Sequence, residues 1–274
     1  MIKLSSIKEI QKVLLEDFIT VSKIWEKHQY SFVLTGGSVL GAVRHKGYIP
    51  WDDDFDVGLS RKDYKDFIDN TSKELPDYLS LYLRKKTQQY VILDKRYEIE
   101  FNQENIDALF DDEVTTAHPT LDLQIFDGTP NNRIHRILYC YHVMLLRARI
   151  KISDPEKIHQ ETWRPKWENI MIGMIKKIKG KDTKSTEKLI RAYNKMIQRY
   201  DFDKSDYIAD FIGKYHMKDV YPKRWWFPTV NVPFEDAEVP IPNGYHEYLS
   251  QIYGDYMTVP KESERVQHTK TDNT

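Results

Sequence analysis

The chain has 274 residues, with 41 Lys and Arg against 42 Asp and Glu and a formal charge of −1, room for one large domain or a domain with a helical extension. That balance disfavours a protein whose main task is gripping nucleic-acid backbone, which carries a marked basic bias. The one cysteine, Cys140, excludes an internal disulfide and a cysteine-rich zinc site.

The N-terminus lacks the apolar run of a secretory signal, and no uninterrupted apolar stretch nears the roughly 20 residues that span a bilayer. A cytoplasmic protein is expected, with peripheral contact at the inner face of the membrane left open. Ser6 followed by Glu9 reads as a capping box. Ile7, Ile10, Leu14, Phe18, Val21 and Trp25 then recur at helical spacing, predicting a helix over residues 7–28. Ser31–Leu34 reads as a short strand ended by Gly36-Gly37, with a brief helix through Val39, Leu40 and Val43 and a turn at Lys46-Gly47. A strand over 55–59 precedes a helix capped by Ser60 and Asp63. Tyr78–Leu83, Tyr90–Leu93 and Tyr97–Phe101 read as strands in hairpin-like succession, and Pro119–Phe126 as the last clear strand. Beyond Asn131 the pattern turns helical, through Ile134 to Leu145, Trp163 to Ile178 and Leu189 to Ile197. The proline-rich stretch Tyr221–Pro242 reads as an irregular loop. Strands first and helices later predict an α+β fold, a mixed sheet with flanking helices and a helical C-terminal half.

The stretch Thr35–Leu59 holds what phosphate chemistry requires. A glycine turn opens a helix whose first N–H groups lack intrahelical acceptors and suit an anion. Asp54 and Asp56 stand two apart at the head of an apolar strand, so both point to one face while Phe55, Val57 and Leu59 enter the core. Asp122, alone between Leu121 and Leu123, offers a third carboxylate. Phosphoryl transfer is mostly positioning plus cations. Three hard carboxylates suit one or two Mg²⁺ (or Mn²⁺) ions that keep other positions for substrate phosphates. The plainer alternative, a polar turn at Asp52–Asp54, leaves Asp56 unexplained, because a carboxylate inside an apolar strand is costly. Gly36, Gly37 and Ser38 read as a phosphate cradle, although a lone Gly-Gly-Ser also serves as an ordinary turn. Arg44 can grip a phosphate. His45 reads as a ligand for phosphate or acceptor or as a structural histidine, and Trp51 as a stacking surface or a packed loop residue.

The segment Gly36–Leu59, above all Gly-Ala-Val-Arg-His-Lys-Gly-Tyr-Ile-Pro-Trp-Asp-Asp-Asp-Phe-Asp, resembles the LicD family of phosphocholine transferases, to which fukutin-type proteins are related. Val232–Glu235, Pro242–Tyr245 and Tyr253–Met257 with Pro260, Arg265 and His268 resemble that family's closing signature. The resemblance implies a nucleotidyltransferase-like fold, with residues 1–130 as catalytic core and 131–274 as a mainly helical region packed on it and completing the site. It implies a metal on Asp54, Asp56 and Asp122, a phosphate-facing turn at Gly37 and Ser38, and substrate positions at Arg44, His45 and Trp51. Many relatives read Asp-Ile-Phe-Pro at the third carboxylate, whereas this chain reads Asp122-Leu-Gln-Ile-Phe-Asp127. The implied activity is transfer of a phospho-alkyl group, often phosphocholine from CDP-choline, to a sugar hydroxyl of a surface glycan such as lipopolysaccharide or teichoic acid, or of its lipid-linked precursor, with release of CMP. Choline, ethanolamine, glycerol and ribitol phosphates all suit the residues. The alternatives are nucleotidyl transfer from an NTP with pyrophosphate leaving, and a non-catalytic glycan- or membrane-associated protein on the same fold.

Three further segments are ambiguous. Trp163–Ile178 with Lys176–Lys181 at its end reads as a helix packed on the catalytic domain, with a membrane-contact helix as the alternative. Asp255, Arg265 and His268 either fold back to bind donor or acceptor, or simply follow a helix ended by a glycine cap at Gly254; residues beyond His268 are expected to fray. Trp51, Trp225 and Trp226 can line a cage for a quaternary ammonium.

Overall fold

A computed structural model describes residues 2–84, 89–101, 116–153, 183–213, 215–262, 265 and 269–270. Two compact units are present: residues 1–126 together with 212–274, and residues 127–211.

In the larger unit, β1 (Ile2–Lys3) precedes α1 (Ile7–Lys27). Ser6 and Glu9 form the expected capping box, with the Ser6 side chain accepting from Glu9 N–H and the Glu9 carboxylate accepting from Ser6 N–H. The strand β2 (Phe32–Leu34) leads directly into α2 (Gly36–Arg44), so the glycines form the helix's first turn and not a turn before it. Gly36 adopts φ +52°, a left-handed value that glycine tolerates. Next come β3 (Phe55–Ser60) and α3 (Arg61–Asp66), whose cap is Ser60 Oγ accepting from Asp63 N–H at 3.1 Å. β4 (Leu79–Arg84) and β5 (Gln89–Asp94) form the predicted hairpin. β6 (Tyr97–Phe101) departs from the expected succession: it pairs with β1 in parallel and with β7 (Thr116–Ala117) in a separate small sheet.

The long strand β8 (Thr120–Gly128) joins β5 on one side and β3 on the other, giving the order β4–β5–β8–β3–β2. β3 and β8 run parallel, and the other pairs run antiparallel. This mixed sheet bears out the α+β class. One face carries Phe55, Val57, Leu59, Leu121, Leu123 and Ile125, all buried. α1 lies on that face, with Phe18 and Phe55 rings 4.9 Å apart and Trp25 and Phe32 rings 5.2 Å apart. The opposite face carries Asp56, Gly58, Asp122, Gln124 and Phe126, as the strand period requires.

The smaller unit contains α4 (Arg133–Ser153), α5 (Thr183–Ile197) and β9 (Tyr207–Ala209). β9 pairs with the end of β8 at Asp127 and Gly128. The two helices pack together, and the Tyr139 hydroxyl donates to Met196 O at 2.6 Å. The predicted Trp163–Ile178 helix and Lys176–Lys181 lie outside the described residues.

The return of the chain to the larger unit adds a β-ribbon to the expected mainly helical C-terminal region. After β10 (Val220–Pro222) and α6 (Lys223–Trp226), the stretch read as irregular forms the hairpin β11 (Thr229–Phe234) and β12 (Ala237–Pro242). An isolated two-stranded ribbon has an outer side to each strand, so Pro233, Pro240 and Pro242 fit without breaking a central ladder. The turn at Glu235 takes φ +53° without a glycine, which hid it from sequence. α7 (Tyr245–Tyr253) ends at Gly254 with φ +70°, as expected of a glycine cap. Thr269–Lys270 (β13) pair with Phe101 and Glu100, which corrects the expectation of fraying for these two residues; residues 271–274 lie outside the described residues.

Candidate active site

The register of the parallel pair decides the geometry. Asp56 on β3 lies opposite Asp122 on β8. Parallel strands in register present partnered residues on one face, so the two carboxylates project side by side. Asp54 precedes Asp56 by two residues, and Asp52 is drawn in beside it. Burial, and then the charges of Asp54, Asp56 and Asp53, push the Asp52 carboxyl well above the usual carboxylate range. The strand and helix that frame this cluster meet closely. A Cβ on Gly36 would come within 2.6 Å of Asp56 Oδ2, and one on Gly37 within 2.7 Å of Asp52 Oδ2.

Each carboxylate has its own supports. Ser38 is buried and its Oγ accepts from Asp56 N–H at 2.9 Å, so its oxygen positions the strand head. Gln124 Nε2 donates to Asp56 Oδ1 at 3.2 Å from the same face. Asp122 Oδ2 accepts from Arg84 Nη1 at 2.6 Å. Burial works against the Arg84 charge, yet Asp122, with Asp56 and Asp54 behind it, raises the guanidinium pKa above its ordinary value. Gly36 N–H donates to the Tyr248 hydroxyl at 2.8 Å. The loop carrying Trp51 and the aspartates is pinned from two sides: Gln11 Nε2 donates to Ile49 O and Asp52 O, and Glu235 Oε1 accepts from Tyr48 N–H.

The donor set suits a hard divalent cation, since Asp54, Asp56 and Asp122 offer carboxylate oxygens beside a glycine cradle that a Cβ would fill. Among the described residues no three Asp, Glu, His or Cys side chains are gathered tightly enough to hold an ion as they stand; Asp122 is turned to Arg84. A cavity of about 490 Å³ lies elsewhere, between α1 and the β11–β12 hairpin, and none of the aspartates lines it. The acidic cluster lies apart from that cavity.

Residues 29–135 match the family described as LicD/FKTN/FKRP, nucleotidyltransferase domain. That stretch is similar to the family's nucleotidyltransferase domain. The chain is 27% identical over 266 residues to the lipopolysaccharide cholinephosphotransferase LicD of Haemophilus influenzae, covering 96% of each chain. An uncharacterized protein of Rickettsia typhi is 38% identical over 71 residues, 26% of this chain and 22% of that one.

The other expected site residues are held differently. Arg44 is spent on the C-terminal segment, donating from Nη1 to Tyr256 O at 2.8 Å and from Nε to His45 Nε2 at 2.9 Å. Burial, then the Arg44 charge, lowers the His45 pKa. A ring nitrogen that accepts from a guanidinium belongs to a neutral imidazole, so His45 serves as an acceptor here. Trp51 carries the Arg265 guanidinium on its face at 4.2 Å, while His45 meets its edge. Arg265 thereby returns to the loop that bears the aspartates. Asp255 instead closes a local turn, accepting from Thr258 Oγ1 at 2.7 Å. His268 lies outside the described residues. Trp226 is core, buried against Phe126 and Tyr248, which corrects its reading as a cage wall.

Sequence reasoning missed Arg84, Gln124 and Tyr248. Gln124 stood out only as a departure from the pattern after Asp122, and its alternation with Asp122 was the available signal. Arg84 and Tyr248 left none, because each reaches the site from a separate element.

Proposed function

We propose that this protein is a LicD-type cholinephosphotransferase that moves phosphocholine from CDP-choline to a sugar hydroxyl of a lipopolysaccharide-like glycan or its precursor, releasing CMP. The observation that carries the reading is the side-by-side projection of Asp56 and Asp122 from adjacent strands, with Asp54 next to them and the α2 start alongside. The likeness to the Haemophilus cholinephosphotransferase along nearly the whole chain supports the choice of head group and acceptor.

Asp54, Asp56 and Asp122 would hold Mg²⁺ or Mn²⁺, which when bound supplies charge neutralisation for the pyrophosphate. The α2 start lies beside the same carboxylates and offers N–H groups to a phosphate oxygen. Gln124 fixes the rotamer of Asp56, so the carboxylate is presented in one orientation. Arg84 fixes the direction of the remaining lone pairs on Asp122, which suits Asp122 to orient the acceptor hydroxyl. The hydroxyl oxygen forms its bond to the distal phosphorus as the bridging oxygen leaves with CMP, in line, with the hydroxyl proton passing to the Asp122 carboxylate. Arg265, stacked on Trp51, supplies a fixed positive charge at the edge of the aspartate loop.

The test is a product assay with purified protein, Mg²⁺, an acceptor glycan and a panel of CDP-alcohols. CMP from CDP-choline, lost in Asp56→Asn, is the expected result. Pyrophosphate released from an NTP would establish nucleotidyl transfer instead, and undiminished CMP release in Asp56→Asn would overturn the assignment of the site.

A further inference from the structure

The helix α4 is apolar on two opposite faces. Its inner face, with Tyr139, Cys140, Val143 and Leu146, is buried. Ile134, Leu138, Tyr141 and Leu145 recur at i, i+4, i+7 and i+11, a single stripe on a helix. They are 71%, 63%, 60% and 60% exposed, and Ile137 beside them is 39% exposed. A contiguous apolar stripe of this kind on a folded surface marks an interaction site.

Charge identifies what the stripe meets. The helix sequence holds Arg133, Arg136, Arg147, Arg149 and Lys151 and no Asp or Glu. Arg136 lies over the Tyr207 ring and Arg147 donates to Phe211 O, so both serve the fold. Arg133 and Arg149 are exposed and bracket the stripe. The bias extends along the chain: residues 127–211 contain 18 Lys and Arg against 11 Asp and Glu, while the remainder contains 23 against 31. No helix among the described residues is long and apolar enough to cross a membrane.

We propose that the exposed face of α4 is a monotopic membrane-binding surface that lays Ile134, Leu138, Tyr141 and Leu145 into the interface of an anionic lipid bilayer. Apolar side chains enter the boundary between headgroups and acyl chains, and Arg133 and Arg149 stay level with the phosphates. The surface charge of the bilayer draws in the basic unit, and insertion then holds it. This differs from the Lys176–Lys181 alternative in resting on a helix whose exposed face is defined. It does not depend on turnover, so vesicle binding and CMP release succeed or fail separately.

The test is flotation of the whole protein with vesicles of phosphatidylcholine alone or with added phosphatidylglycerol, alongside its mass in solution. The expected result is binding to the anionic vesicles, weakened by salt and reduced at least about 5-fold in Leu138→Ser/Leu145→Ser. Arg133→Gln/Arg149→Gln should lose the preference for phosphatidylglycerol. Both pairs are exposed, so circular dichroism and thermal melting should match the parent; the single change Tyr141→Ser gives a milder second reading. Absence of binding to anionic vesicles, or binding untouched by the Leu138 and Leu145 changes, would overturn the proposal. So would a dimer that the Leu138 and Leu145 changes dissociate, because the stripe would then be a contact between two copies.

Discussion

Arg84 reaches across an intervening strand to Asp122, with Nη1 2.6 Å from Oδ2. Arg84 ends β4, Asp122 lies on β8, and Val91 of β5 is the residue opposite Asp122 between them. The Arg84 side chain is only 11% exposed. The guanidinium thus sits on a carboxylate proposed to hold a divalent cation, so the two cations would compete for it. Arg84→Met should tighten Mn²⁺ binding by roughly 10-fold, because a competing positive charge is gone. The same change should cost about 3 kcal/mol of stability by leaving a half-buried carboxylate unpaired. Calorimetric titration with Mn²⁺ and urea unfolding read the two effects separately. Weaker Mn²⁺ binding in Arg84→Met would show that the arginine assists the cation and does not oppose it.

Gln124 orients Asp56 through a 3.2 Å bond to Oδ1. Groups that hold a ligand from behind typically change metal affinity or activity by about 10–100-fold when removed. Gln124→Leu keeps the side-chain volume and deletes the donor, so turnover should fall within that range while the fold is retained. Gln124→Glu adds repulsion to the same geometry and should fall further. Equal turnover in all three proteins would remove Gln124 from the site.

The carboxylates were legible because each breaks a pattern: Asp56 interrupts Phe55, Val57 and Leu59, and Asp122 interrupts Leu121 and Leu123. Their meeting in one shared site was expected, but not the register that sets Asp56 against Asp122, which belongs to a parallel pair joined by a long crossover. The supports were hidden for the same reason. Tyr248 bonds Gly36 from 212 residues away and Glu235 bonds Tyr48 from 187 away, and nothing local in sequence reports such contacts. Arg44 illustrates the opposite error. Its charge beside the motif suggested a phosphate, but the folded chain uses it to hold the carbonyls of Tyr256 and Thr258. The β11–β12 hairpin was obscured by its prolines and by a turn that takes a positive φ at a glutamate.

Gly37 separates positioning from folding. Unlike Gly36, it has no left-handed φ to protect, so an added methyl meets only the Asp52 carboxylate, 2.7 Å from Oδ2. That oxygen is the end of a short side chain within the acidic cluster and has to move. Gly37→Ala should lower CMP release by more than about 10-fold, one pKa-unit equivalent of transition-state stabilisation, while the melting temperature changes little, since alanine is the better helix former. Gly36→Ala, strained at φ +52° and 2.6 Å from Asp56 Oδ2, should lose both. A Gly37→Ala protein with full activity would show that Asp52 is not part of the working cluster.

Asp17 gives the protein a pH dependence of stability remote from the candidate site. It is buried in α1, 2% exposed, and its neighbours are Asp94 and Arg96. Burial, aided by the Asp94 charge and opposed by Arg96, pushes its carboxyl from an ordinary 3.8 up to about 8. Between those values the folded chain holds a proton that the unfolded chain has lost, so unfolding releases a proton and stability falls as pH rises. Below about 4 both states are protonated and above about 8 both are charged, so the slope from this group vanishes outside the window. Arg96 is pushed upward from its ordinary value by its bonds to Asp94, against the effect of burial; it stays charged across the window and adds no slope. Asp17→Asn keeps a donor toward Asp94 and removes the titration. Its melting temperature should therefore gain on the wild type steadily from pH 5 to pH 8, where the wild-type carboxylate becomes a buried charge that Arg96 offsets only in part. Parallel melting curves for the two proteins across that range would mean that Arg96 already neutralises Asp17 and that the proton is not held.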